Sequence, residues 1–210
     1  SLLTVGDPAY PDEMASPVGT RAATSAAALP RLPYTAVESE TVRRHFPAAS
    51  VTALLQEAAT EPAVTAAIRG KRYVHLAAHG FADDAFGNLF AAVALTPPPP
   101  GTATPENDGF LSLNEIYRLN LADTELTVLS ACVTNVGPQR PLECGVTLSG
   151  AFLSAGSRGV MASCWSVDDR ATADDGGSSN SRCTDPSSVS ASTLGERIRL
   201  ARTVPLDECR

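Results

Sequence analysis

Two short stretches hold the residue types capable of covalent chemistry. His79-Gly80 closes the apolar run Arg72–Ala78 (RYVHLAA), and Cys132 closes Thr124–Ala131 (TELTVLSA). A thiol is a good nucleophile only as thiolate, so it needs a base or a positive neighbour. Imidazole serves that need because it takes and returns a proton near neutrality. The glycine has its own use. Lacking a side chain, it lets the backbone N–H of Gly80 approach a tetrahedral oxyanion, joined there by the N–H of Cys132.

The elements that must position these residues read as alternating strands and helices. Leu2–Gly6 is a strand-like run ending in the turn Gly6-Asp7-Pro8, and residues 9–35 are rich in Ala, Pro, Ser and Thr, as in a loop. Ala36–Phe46 has helical composition and stops at Pro47, and Ala49–Leu54 forms a second strand. Thr60-Glu61-Pro62 opens a helix over Ala63–Arg69 that Gly70 closes. Leu89–Thr96 is a further apolar run, followed by four prolines at 97–100. Leu111–Leu119 and Gly145–Ala155 read as helices, and Gly159–Cys164 as a last strand. This order predicts an α/β fold with a mostly parallel sheet. Functional groups in such sheets collect beyond the carboxyl ends of the strands, where His79 and Cys132 both fall.

Composition narrows the function. The chain has 210 residues, 43% hydrophobic and only 19% charged, enough for one core. A net charge of −7 with no cluster of Lys or Arg argues against a nucleic-acid partner. No apolar run approaches the roughly 18–20 residues that span a bilayer, so no membrane role is expected. Five cysteines, an odd number without metal-like spacing, favour free thiols in a reducing, cytoplasmic compartment. Opening on Ser1 in a strand rather than on Met, the sequence reads as a piece of a longer protein.

Several residues have ordinary readings. His75 shares strand parity with His79, and the expectation for it is a packed core residue. HLAAH lacks the Glu of a metalloprotease helix, so neither a zinc site nor any other metal is expected. Cys144 and Cys164 read as small buried hydrophobes. The turn Gly156–Gly159 lacks the Lys-Ser/Thr of a phosphate loop, and no GxSxG motif occurs, so no cofactor is expected.

The ordered motifs carry a resemblance. Val74–Gly80 (VHLAAHG) is similar to the VHLATHG-type motif of the CHAT domain, a caspase-like peptidase domain often fused to TPR repeats and related to separase. Leu126–Val136 (LTVLSACVTNV) and Gly137 resemble its LVVLSAC-x-T-x-x-G motif. Gly145–Asp169, Leu3–Tyr10 and the L-P-x-L-x-x-x-x-x-E segment Leu29–Glu38 match in order as well. The roughly fifty-residue spacing of His and Cys is that of caspases, although the caspase signature QAC-x-G is absent.

The resemblance implies a caspase-like fold over residues 1–172 and a cysteine endopeptidase with a His79/Cys132 dyad. The oxyanion would be held by the Gly80 and Cys132 amides. Asp168 and Asp169 would line the S1 pocket and favour a basic residue there. The partners implied are a protein or peptide substrate and an upstream repeat domain. Residues 173–210 depart from the family. Positions 170–193 hold no Leu, Ile, Met, Phe, Tyr or Trp, so burial cannot offset their ordering entropy, and a disordered Ser-rich tail is expected. That loss of closing elements points to a truncated gene product. The alternative function is accordingly an inactive caspase-like interaction module.

Overall fold

The computed structural model describes residues 1–11, 29–81, 89–131 and 147–162. Its centre is a five-stranded parallel sheet of β1 (Leu2–Pro8), β2 (Val51–Gln56), β3 (Tyr73–Ala77), β7 (Leu126–Ser130) and β8 (Val160–Ala162), in the order β2-β1-β3-β7-β8. The expected α/β fold with a mostly parallel sheet flanked by helices is present. β1 lies between β2 and β3, so the chain leaves it in opposite directions on its two sides. That reversal makes a switch point at the carboxyl ends of β1 and β3.

Alternation along the strands builds two unlike faces. One face carries Leu3, Val5, Val74, Leu76 and Leu129. It packs with Val64 and Ile68 of α2 (Glu61–Ala67), Leu113 and Ile116 of α3 (Leu113–Ile116), and Ala151 and Phe152 of α4 (Leu148–Ser154). The other face meets α1 (Pro33–Arg43) and changes character along the strands. Leu2 and Tyr73 pack with Val42 and Phe46 at the amino end, and Val128, level with His75, joins their cluster. Thr4 and His75 follow towards the carboxyl end, both fully buried.

α1 rides unusually close to β1. A Cβ on Gly6 would meet the Thr35 carbonyl oxygen at 2.6 Å and also Ser39 Oγ, so only glycine admits the helix there. β1 also runs two residues further than its turn-like sequence predicts, through a bulge between Gly6 and Pro8. Asp7 within that bulge has a φ of 46°.

A second, antiparallel sheet follows β3 directly, made of β4 (Gly80–Phe81), β5 (Ala92–Ala94) and β6 (Phe110–Ser112) in the order β4-β5-β6. The helix expected over Leu111–Leu119 is therefore corrected. Phe110, Leu111 and Ser112 pair with Ala94, Val93 and Ala92, and the helical part is a single turn. Pairing with β5 overrides the helical propensity of that run. Ser112 still caps the turn, its backbone N–H and hydroxyl both donating to the Glu115 carboxylate at 2.8 and 2.6 Å.

Among the described residues, no helix is long and apolar enough to cross a membrane.

Candidate active site around His79

His79 stands where the parallel sheet hands over to the antiparallel one, beyond β3 and immediately before β4. Three segments from different parts of the chain converge on it. The first is the stretch before α1. His79 Nε2 lies 2.7 Å from the carbonyl oxygen of Pro30. A carbonyl only accepts, so Nε2 carries the proton and Nδ1 is left as the atom able to take one. This contact fixes both the tautomer and the ring orientation.

Pro30 is in turn held by its neighbour. Arg31 donates from Nε and from its terminal nitrogen to the Asp7 carboxylate at 2.9 and 2.6 Å, a bidentate pair. Asp7 is 1% exposed, accepts also from Gln56 at 3.3 Å, and its N–H donates to Thr35 Oγ1 at 2.6 Å. The bulge in β1 therefore has a purpose. It turns the Asp7 carboxylate towards the segment that carries the Pro30 carbonyl.

The second convergent segment is the end of β1. Tyr10 stacks at a tilt on the His79 ring, with centroids 5.2 Å apart. Its hydroxyl accepts from the His79 N–H at 3.3 Å and donates to the Ala94 carbonyl at 3.1 Å. Burial pushes the Tyr10 phenol well above its ordinary range, so it remains a neutral donor. The hydroxyl thus splices the opening of the β4–β5 ladder at the residue where the chain changes sheets.

The third is β5 itself. The His79 carbonyl accepts from Ala94 N–H at 2.8 Å, while Gly80 lies opposite Val93. In an antiparallel ladder, bonded and non-bonded pairs alternate, so the Gly80 N–H is turned away from β5. An amide so directed is available to an oxyanion.

Further from the ring, His75 is fully buried, as expected, but it is not simply a packed side chain. Its Nδ1 is 2.9 Å from Thr4 Oγ1 and its Nε2 3.0 Å from the Glu38 carboxylate of α1. The other Glu38 oxygen accepts from Ser130 Oγ at 3.0 Å. A groove with a volume of about 480 Å³ lies elsewhere, between the end of α1 and edge strand β2, lined by Arg43, Arg44 and Phe46 among others. No residue expected in the site lines it.

Of the expected site residues, His79 and Gly80 fall within the described structure. Cys132, with its amide, and Asp168 and Asp169 lie outside the described residues, as do Cys144 and Cys164. β7 is described to Ser130, and Ala131 after it is buried. Sequence reasoning missed Pro30, Asp7, Tyr10 and Glu38. All four lie inside segments that match in order, Asp7 and Tyr10 in Leu3–Tyr10 and Pro30 and Glu38 in Leu29–Glu38, but no role was read from them.

Among the described residues, no group of three His, Cys, Asp or Glu side chains is arranged to hold a metal ion. Residues 1–174 match the family model of the CHAT domain. A search of curated proteins gave no match.

Proposed function

We propose that this chain, which belongs to the CHAT-domain family, is a cysteine endopeptidase working through His79 and Cys132. The observation that carries this reading is the strand register. Ala77 of β3 is the partner of Ser130 of β7 in a parallel pair. Two residues on from each in the sequence come His79 and Cys132, so the two follow paired strand ends at equal distance along the chain. Adjacent strands lie about 4.8 Å apart, a separation that a His and a Cys side chain can bridge.

The chemistry follows from the groups on that edge. His79 Nδ1 takes the Cys132 proton, and the thiolate attacks the scissile carbonyl carbon. The oxyanion is met by the Gly80 N–H, turned away from β5, and by the Cys132 N–H. The imidazolium, held by the Pro30 carbonyl, returns its proton to the leaving amine. Water, deprotonated by the same imidazole, then hydrolyses the thioester and frees the thiol. Asp168 and Asp169 give the S1 pocket its acidic wall and select a basic side chain. The substrate is a protein or peptide, and a repeat domain upstream in the full-length protein regulates the activity.

The test is digestion of a peptide library by the purified chain, with new termini read by mass spectrometry. Cleavage after Arg or Lys that disappears in Cys132→Ala supports the proposal. The second reading, a non-catalytic interaction module, is favoured by the Ser-rich composition beyond the family match. Cleavage that depends on Cys132 excludes it.

A further inference from the structure

The polar cluster under the sheet has no part in the chemistry above, yet it is costly to bury. Glu38 is 2% exposed and His75 fully buried. Removing a carboxylate from water costs several kcal/mol, and apolar side chains of similar volume commonly stabilise as well or better. Towards the amino end of this face Leu2, Val42, Phe46, Tyr73 and Val128 form an apolar cluster, and beside the Glu38–His75 pair the uncharged Thr4, Thr35 and Ser39 are buried. Packing alone therefore gives no reason for a charged group here.

Its geometry does. The two oxygens of one carboxylate go to two neighbouring strands: one accepts from His75 Nε2 on β3, the other from Ser130 Oγ on β7, each at 3.0 Å. Thr4 Oγ1 on β1 closes the chain of contacts on the far side of the imidazole at 2.9 Å. His75 lies four residues before His79 in the sequence, and Ser130 two before Cys132. We infer that Glu38 is a positioning residue, a brace from α1 that sets β3 against β7 and so fixes the spacing of His79 and Cys132. This rests on the proposed dyad.

The experiment is site-resolved alkylation. The full chain is treated with iodoacetamide from pH 5 to 10, and modification of the Cys132 peptide is followed by mass spectrometry. A thiol paired with His79 reacts with a midpoint below the value of about 8.5 for a free cysteine. Ser130→Ala cuts only the β7 arm of the brace and leaves the His75–Glu38 pair in place. Its midpoint is expected to rise by about half a pH unit or more, towards the free-thiol value. Glu38→Gln keeps both arms as neutral hydrogen bonds and is expected to titrate within about 0.2 pH units of the wild type.

A depressed wild-type midpoint that stays put in a Ser130→Ala protein of unchanged melting temperature overturns the brace and leaves the dyad standing. So does a Glu38→Gln midpoint displaced as far as that of Ser130→Ala, since charge and not span would then be acting. A wild-type midpoint at the free-thiol value overturns the dyad, and the brace with it.

Discussion

Glu61 opens α2 with its side chain 2% exposed and its carboxylate accepting from the backbone N–H groups of Asp108 and Gly109 at 3.1 and 3.4 Å. The Glu115 carboxyl lies within hydrogen-bonding reach. Burial, then the hydrogen bond and charge of Glu115, push the Glu61 carboxyl from its ordinary 4.5 up to about 8. The folded protein therefore keeps a proton that the unfolded chain releases, and stability must fall as pH rises from about 4.5 to about 8. At about 1.4 kcal/mol per pH unit, the loss by pH 8 is at most about 5 kcal/mol. Solvent around half-buried Glu115 screens the repulsion and reduces this to about 2–3 kcal/mol.

Glu61→Gln has the shape of the protonated acid. Its amide oxygen accepts the same two N–H groups, and its amide nitrogen donates to Glu115. The variant should melt about 5–10 °C above the wild type at pH 8, and within about 2 °C of it at pH 4.5. Thermal unfolding followed by circular dichroism from pH 4.5 to 8.5 measures both. Asp108, itself raised first of all by burial, leaves a smaller slope in the variant. Parallel pH profiles for the two proteins, or a Gln variant less stable at pH 8, would refute the shared proton.

Three further outcomes follow from the same structure. Asp7→Ala releases Arg31 and with it the Pro30 carbonyl, so Cys132 alkylation at neutral pH should slow about tenfold, while urea unfolding shows a loss of about 2 kcal/mol. Gly6→Ala drives a methyl group against the Thr35 carbonyl and should cost about 1–3 kcal/mol in the same urea assay, as overpacking does. His75→Leu leaves the Glu38 charge buried with only Ser130 beside it. It should cost about 3–5 kcal/mol, and pairing it with Glu38→Leu should recover most of that loss.

The periodic parts of the fold were legible in the sequence because burial on both faces writes a strand as an apolar run. Tyr73–Ala77 and Leu126–Ser130 lie inside the runs expected for them, and α2 starts at Thr60-Glu61-Pro62 with Thr60 capping Ala63 N–H. The small antiparallel sheet was not legible. β4 and β6 are two and three residues long, too short for a period, and β6 looks helical until β5 pairs with it. At the site, His79 and Gly80 announce themselves by residue type at a strand end. Pro30 does not, since it acts through a carbonyl that every residue possesses. Asp7, Tyr10 and Glu38 stand in matching motifs, but their roles were hidden for a related reason: each matters through a partner distant in sequence, and only the folded chain brings the two together.

The central claim is that Cys132 is a nucleophile activated by His79. Its most direct measurement is the rate at which a peptidyl electrophile with Arg at P1 attaches to the chain, resolved by residue. Rapid attachment at Cys132, slowed at least about a hundredfold in His79→Ala and absent in Cys132→Ala, is the predicted result. Equal labelling of the wild type and Cys132→Ala would contradict it.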